Sequence, residues 1–336
     1  MVGSTTSRSL ARKCCHGCGG VLLSAPSGGR AEMREERVEF YSYGQRLAGL
    51  LRMPDAVAGR QPVIVQAPGW LGLADAKTYE PWHRAFTEAG YALLVFDYRG
   101  YGQSEGERGW ILPDRMVEDI WNAVTFVGTR DDLDPDRIGA YGIGGIGGGN
   151  VIIAAAQDER IRCVAVQSVV ADGRDWLRRM RREYEWVEYV ERVGDDARSW
   201  VSTGDSELVN PRTDIMVATP ERQAYTNKGD VDTRMEPQFH LQSAAALMRY
   251  RPLDHVPRLS PRALLLTSVA DDSVTPEDHA LRLYEAAGPP KRLIRQTGTT
   301  HYRSYTDNYE VLARELVNWY DRYLTAAPIN AREDQG

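Results

Sequence analysis

Along residues 37–53 apolar and polar positions alternate with a period of two around a Ser-Tyr-Gly turn, the pattern of two antiparallel strands joined as a hairpin. Downstream the pattern changes. Residues 62–67, 91–96, 138–142, 161–167, 263–268 and 292–296 form runs too short for a helix and too apolar for a half-exposed strand. Between them, 77–89, 114–128, 148–157, 277–287 and 306–325 place apolar residues at helical spacing. Strand and helix alternate, which predicts an α/β fold: a mainly parallel eight-stranded sheet with helices on both faces. The rhythm breaks over 171–250, a long polar and aromatic stretch expected to form a helical cap inserted between two sheet strands. The core is then expected over 37–170 and 251–326.

The first 32 residues differ from the rest. Met1–Ala31 contains no Asp or Glu but has Arg8, Arg12, Lys13 and Arg30 among many Ser and Gly. Three readings compete: a disordered leader or an early start with Met33 as the natural one, an Arg-rich targeting peptide, or a metal knuckle of Cys14, Cys15, His16 and Cys18. The knuckle is disfavoured because its four ligands lie too close together for ordinary structural zinc spacing. Gly20–Pro26 is too short an apolar stretch for a secretory signal.

Composition narrows the classes. At 336 residues and 42% hydrophobic the chain can bury a large core. No run of about 18 apolar residues occurs, excluding a transmembrane helix. Mean hydropathy of -0.45 agrees. Forty-one basic against 47 acidic residues leave a net charge of -6, unlike a general nucleic-acid binder. One cysteine, Cys163, lies in the body, so a disulfide-built fold is not expected. The expectation is a cytoplasmic protein with a small-molecule partner, no nucleic acid and no membrane. Outside the leader no Cys and His cluster; His83, His240, His255 and His279 are scattered, and neither metal nor cofactor is expected.

Two segments carry more. Residues 96–106 read FDYRGYGQSEG directly after an apolar run, and 138–150 read IGAYGIGGIGGGN before a helix. Their order resembles the α/β-hydrolase fold, in particular dienelactone-hydrolase-like or acetyl-xylan-esterase-like acylhydrolases, over residues 37–326. The resemblance implies a Ser nucleophile on a strand-to-helix turn, followed in chain order by an acid and a His. His301, in TGTTHYRSY, matches the histidine, and Asp272, in SVADDSVTP, the acid, with Asp271 as neighbouring candidate. The nucleophile is missing. The position falls on Gly145 or Gly144 depending on register, and the third candidate, Ile146, has no nucleophilic atom either. Glycine tolerates the strained turn and removes the oxygen that would form an acyl-enzyme. Oxyanion donors can survive as backbone N–H groups, here Ile146 and, in QAPGWLG, Trp70. The Gly-rich run also reads as a phosphate cradle, though without the P-loop's Lys-Ser/Thr. Ser104 and Ser168 read as structural hydroxyls.

In the cap, Trp176, Met180 and Tyr184 fall on one face of a predicted helix that carries Arg178, Arg179, Arg181 and Arg182. This is a packing stripe with a solvated arginine face, or one arginine, taken as Arg179, reaches a substrate carboxylate or phosphate beside Trp176 and Tyr302. Trp200, Tyr225, Phe239 and Tyr250 add to an apolar roof. The resemblance leaves a homodimer open. Three functions fit: hydrolysis of an ester, lactone, thioester or amide by His301-activated water with Asp272 holding the imidazole; a cofactor-free lyase, isomerase or cyclase using His301 as proton-transfer base; or a ligand-binding protein that has lost its chemistry.

Overall fold

A computed structural model describes residues 33–55, 59–224 and 229–324. The leader with its Cys14, Cys15, His16 and Cys18 lies outside the described residues, as does Tyr225. The opening hairpin pairs β1 (Arg34–Ser42) with β2 (Gln45–Met53). Its two-residue turn is Tyr43 and Gly44, both at positive φ, the primed geometry that matches strand twist. There follow β3 (Gln61–Ala67), α1 (Glu80–Glu88), β4 (Ala92–Phe96), α2 (Pro113–Val127), β5 (Leu133–Ile143), α3 (Gly144–Gln157) and β6 (Ile161–Gln167). The chain then leaves the sheet for α4 (Gly173–Arg179), α5 (Glu183–Thr203), a small ribbon of β7 (Leu208–Val209) and β8 (Phe239–His240), short helices α6 (Pro220–Ala224) and α7 (Gly229–Asp232), and α8 (Gln242–Arg249). It returns through β9 (Ala263–Val269), α9 (Glu277–Ala286), β10 (Lys291–Gln296), α10 (Ser304–Asp307) and α11 (Tyr309–Leu324).

The eight-stranded sheet runs β1-β2-β4-β3-β5-β6-β9-β10. Only β2 is antiparallel to its neighbours; every pairing from β4 to β10 is parallel. All residues of β3, β4 and β9 are buried, as expected for strands covered on both faces. Against this core, α1 lays down Trp82 and Phe86 and α11 lays down Leu316 and Tyr320, with Phe86 and Tyr320 ring to ring at 5.6 Å. Fully burying one such side chain is worth about 1.5–3 kcal/mol.

Three details differ from the sequence pattern. The fifth strand reaches back through polar Asp134, Pro135 and Asp136 to Leu133, whose pairing with Gln61 is offset by a register shift. Helix α3 begins at Gly144 rather than 148 because the glycines that weaken its sequence signal are inside it. The arginine-rich stretch is two helices, not one: Arg182 starts α5, with its own N–H donated to Glu185 at 2.8 Å. Trp176 is therefore buried while Tyr184 stands in solvent, and the expected shared stripe does not form.

Candidate functional site

Four connections leave the sheet at the carboxyl ends of β3, β5, β9 and β10, the edge where open α/β sheets gather ligands. They bring together Trp70, Gly144, Asp272 and His301. After β9 the chain turns at Asp271, which has φ +55 and is exposed. That turn points Asp272 inward, where Oδ1 accepts from the amides of Val274 (2.7 Å) and Thr275 (2.9 Å). Its other oxygen accepts from His301 Nδ1 at 2.7 Å, with both side chains buried. Asp271 makes no such pair. Two tyrosine rings stand edge-on to the imidazole, Tyr302 at 4.8 Å and Tyr305 at 5.8 Å, and Ser304 Oγ donates to the His301 carbonyl at 2.7 Å. With Nδ1 committed to Asp272, Nε2 is the ring nitrogen left for a ligand.

The turn between β5 and α3 has one left-handed residue, Gly144 at φ +74. A Cβ built on it would lie 3.4 Å from Gly69 Cα and 3.9 Å from the Trp70 amide nitrogen, ordinary van der Waals contacts that leave room for it. A Cβ on Gly145 would instead press within 2.8 Å of Val170 Cγ2. Of the two glycines, Gly144 has the left-handed backbone and Gly145 the crowded Cβ position. The amide that follows Gly144 belongs to Gly145, one position before the Ile146 expected from the other register. Ile146 is buried in the first turn of α3, its carbonyl accepting from Tyr250 Oη at 3.0 Å. The glycines beyond are explained by packing: a Cβ on Gly142 would sit 2.5 Å from Gly148 Cα, so strand and helix could not cross.

His301, Gly144, Gly145 and Trp70 line one cavity, whose empty space, counting its open mouth, is about 560 Å³. Its walls are Trp70, Tyr79, Ile143, Ile146, Trp176, Met216, Val274, Tyr302 and Tyr305, with Arg222 among them. Trp176 donates Nε1 to the Val274 carbonyl at 2.8 Å and meets Trp70 edge to face at 5.7 Å. Trp176 and Tyr302 both line the cavity. Arg179 does not: it is spent bidentately on Asp278 at 2.7 and 2.9 Å and also on Asp175, outside this cavity. The arginine that lines it is Arg222, on α6, donating to the Tyr302 hydroxyl at 3.1 Å. Burial raises the Tyr302 phenol above its usual value, with Arg222 pulling the other way. Beside it, Glu221 accepts from the Tyr302 amide (3.1 Å) and from Ser273 Oγ (3.3 Å), joining the loops that hold His301 and Asp272. Glu221 and Arg222 were not read from sequence. Thr219, whose Oγ1 accepts from the Arg222 amide at 3.2 Å, and Pro220, the first residue of α6, signal a helix start but not what that helix faces.

The other singled-out residues are structural. Asp97 accepts from the amides of Ala74 (2.7 Å) and Gln103 (2.8 Å), and Ser104 Oγ donates to the Asp97 carbonyl at 2.6 Å. Ser168 is buried on the connection after β6 and does not line the cavity. Among the described residues Asp175, Asp278 and His279 are close enough to share a cation. Asp175 already meets Arg179, Arg282 and His279 Nε2, and His279 Nδ1 accepts from the Ala171 amide at 3.0 Å, so the group is an ion-pair network.

The model of the X-Pro dipeptidyl-peptidase (S15) family matches residues 44–303. An Escherichia coli protein described as an uncharacterized 31.7 kDa protein in the traX-finO intergenic region is 27% identical over 86% of this chain and 100% of its own length. Thiohydrolase aneE of Aspergillus aculeatus is 26% identical over 81% of this chain and 87% of its own. Among solved structures, the α/β hydrolase GrgF from Penicillium sp. sh18 superposes with a TM-score of 0.73 at 22% identity, over 87% of this chain and 100% of that one. The α/β-hydrolase reading of the sequence is borne out, and S15 is the family that the match gives.

Proposed function

The chain belongs to the X-Pro dipeptidyl-peptidase (S15) family of α/β-hydrolases, and from that premise we propose that it hydrolyses an activated carbonyl compound with water in place of a side-chain nucleophile. The observation that carries this reading is a juxtaposition: His301, held from behind by Asp272, lines the same cavity as Gly144. A water in that cavity would lose a proton to His301 Nε2 as it attacks. Asp272, fixed by two amides, would keep the proton on Nδ1 and stabilise the imidazolium. The amides of Gly145 and Trp70 would receive the developing oxyanion. Without the covalent route, catalysis of this kind retains only about 10³- to 10⁴-fold over water in serine hydrolases stripped of a triad member. The substrate should therefore have a good leaving group or ring strain, as thioesters and lactones do. The thiohydrolase among the relatives supports a thioester.

The test compares the natural protein with Gly144→Ser, Gly145→Ser and His301→Ala on short p-nitrophenyl esters and acyl thioesters, with mass spectrometry for a covalent adduct. Turnover by the natural protein without an adduct, lost in His301→Ala, is the expected result. Gly144→Ser alone should show a burst and a trapped acyl group. Inert natural protein beside an active Gly144→Ser would overturn hydrolysis. It would move the pair to proton transfer alpha to a carbonyl, a lyase, isomerase or cyclase reaction that needs a base and no nucleophile, detectable as His301-dependent deuterium uptake into a ketone ligand. If the natural protein bound ligand with neither turnover nor exchange, a non-catalytic role would follow.

A further inference from the structure

We propose that Arg222 makes this cavity selective for a carbonyl substrate that also carries a carboxylate, gripped by the guanidinium while the reacting carbonyl lies over Gly144. The proposal deepens the hydrolase reading and rests on it for the position of the carbonyl, but not for the binding of the anion.

The argument is one of charge balance. Among the described residues no Asp or Glu lines the cavity, and Arg222 is the one permanently charged side chain in its walls. The first-turn amides of α3 add partial positive charge from the Gly144 side. Aromatic and aliphatic walls keep the local dielectric low, so an uncompensated cation there acts more strongly than one on the surface. Four other arginines of the insert are occupied: Arg178 by Glu183, Arg179 by Asp175 and Asp278, Arg192 by Glu207, while Arg181 lies over Tyr189 and donates to the Asp214 and Ile215 carbonyls. Arg222 meets a neutral phenol, and among the described residues no carboxylate pairs with it. Its neighbour Glu221 is turned away onto Tyr302 N and Ser273 Oγ.

Geometry sets the spacer. The Tyr302 hydroxyl touches Arg222 while the Tyr302 ring meets the imidazole edge-on, so a single tyrosine bridges the anion site and the base. A planar guanidinium fork suits a carboxylate in two-point contact. The fitting ligand is an acyl group with a terminal carboxylate on a short aliphatic or aromatic spacer.

The experiment uses two esters with one leaving group, p-nitrophenyl butyrate and p-nitrophenyl hemiglutarate, on the full chain and on Arg222→Met and Arg222→Lys. The readout is the ratio of kcat/KM for the anionic over the neutral ester. In parallel, calorimetry follows 4-phenylbutyrate binding to His301→Ala with and without Arg222→Met, each variant first checked by thermal melt. We expect the natural protein to favour the anionic ester. Arg222→Met should lower the ratio about 10- to 100-fold, the worth of one lost charge-assisted contact, with Arg222→Lys in between. Binding of 4-phenylbutyrate should weaken similarly. Arg222-dependent binding without ester turnover would support the anion site while sinking the hydrolase reading. Turnover with the same ratio in Arg222→Met, and binding indifferent to it, would overturn the anion site and leave the hydrolase reading standing.

Discussion

At the scale of single residues the site is a pair of restraints around one gap. Asp272 is held from behind by two amides and His301 from the sides by two rings, so little of the pair's geometry depends on a ligand. Asp272→Asn should keep its shape and still fail, because an amide can present its NH₂ to Nδ1 and stabilise the other tautomer. Hydrolysis should fall on the order of 10²-fold with a melting temperature close to that of the natural protein, read by ester assay beside calorimetry. Gly145→Ser tests the other register physically. With Val170 in the way it should cost about 1–3 kcal/mol in denaturant unfolding and yield no adduct. A Gly145→Ser protein that is both stable and acylated would move the elbow by one residue.

At the scale of elements, the contacts between insert and core matter most. Tyr250, at the end of α8, reaches across to the first turn of α3 and donates to the Ile146 carbonyl. Tyr250→Phe should cost about 1–3 kcal/mol, since a buried carbonyl loses its donor, and should slow turnover by loosening the segment that carries the Gly145 amide. Stability loss with unchanged kcat would confine Tyr250 to packing. Elements were also where sequence was most legible. Period-two alternation gave the hairpin, unbroken apolar runs gave the buried strands, and the order of motifs brought out Asp272 and His301. What stayed hidden had physical causes. The start of α3 is glycine, whose helical state is imposed by packing rather than propensity. The break before α5 depends on one carboxylate returning to the Arg182 amide, a contact that the hydrophobic period does not register. Arg222 comes to the cavity through the path of the whole insert, which no local pattern in the sequence reveals, whereas the expected Arg179 is engaged by Asp175 and Asp278.

At the scale of the whole molecule, two buried imidazoles set the response to acid. His83 is on the buried face of α1, between Arg52 and Gln66, and burial, with the Arg52 charge, holds its pKa well below the ordinary histidine value. His279 is lowered by burial despite the Asp175 carboxylate beside it. As pH falls through about 6.5, the unfolded chain binds protons that the native state refuses, so these groups remove stability below that value and none above it. Each can contribute up to about 1.4 kcal/mol per pH unit. Melting temperature should be level from pH 8.5 to 7 and decline below 6.5, with a shallower decline in His83→Gln; a variant that follows the natural curve would show that His83 is not a source of the acid loss. Among the described residues no helix is long and apolar enough to cross a membrane. The space over Gly144 has a kinetic meaning as well. A side-chain nucleophile divides acyl transfer into two half-reactions, with the first product gone before the acceptor arrives. A nucleophile that must diffuse into a gap requires donor and acceptor to be present together, so an added alcohol or thiol competing with water should give intersecting rather than parallel double-reciprocal lines.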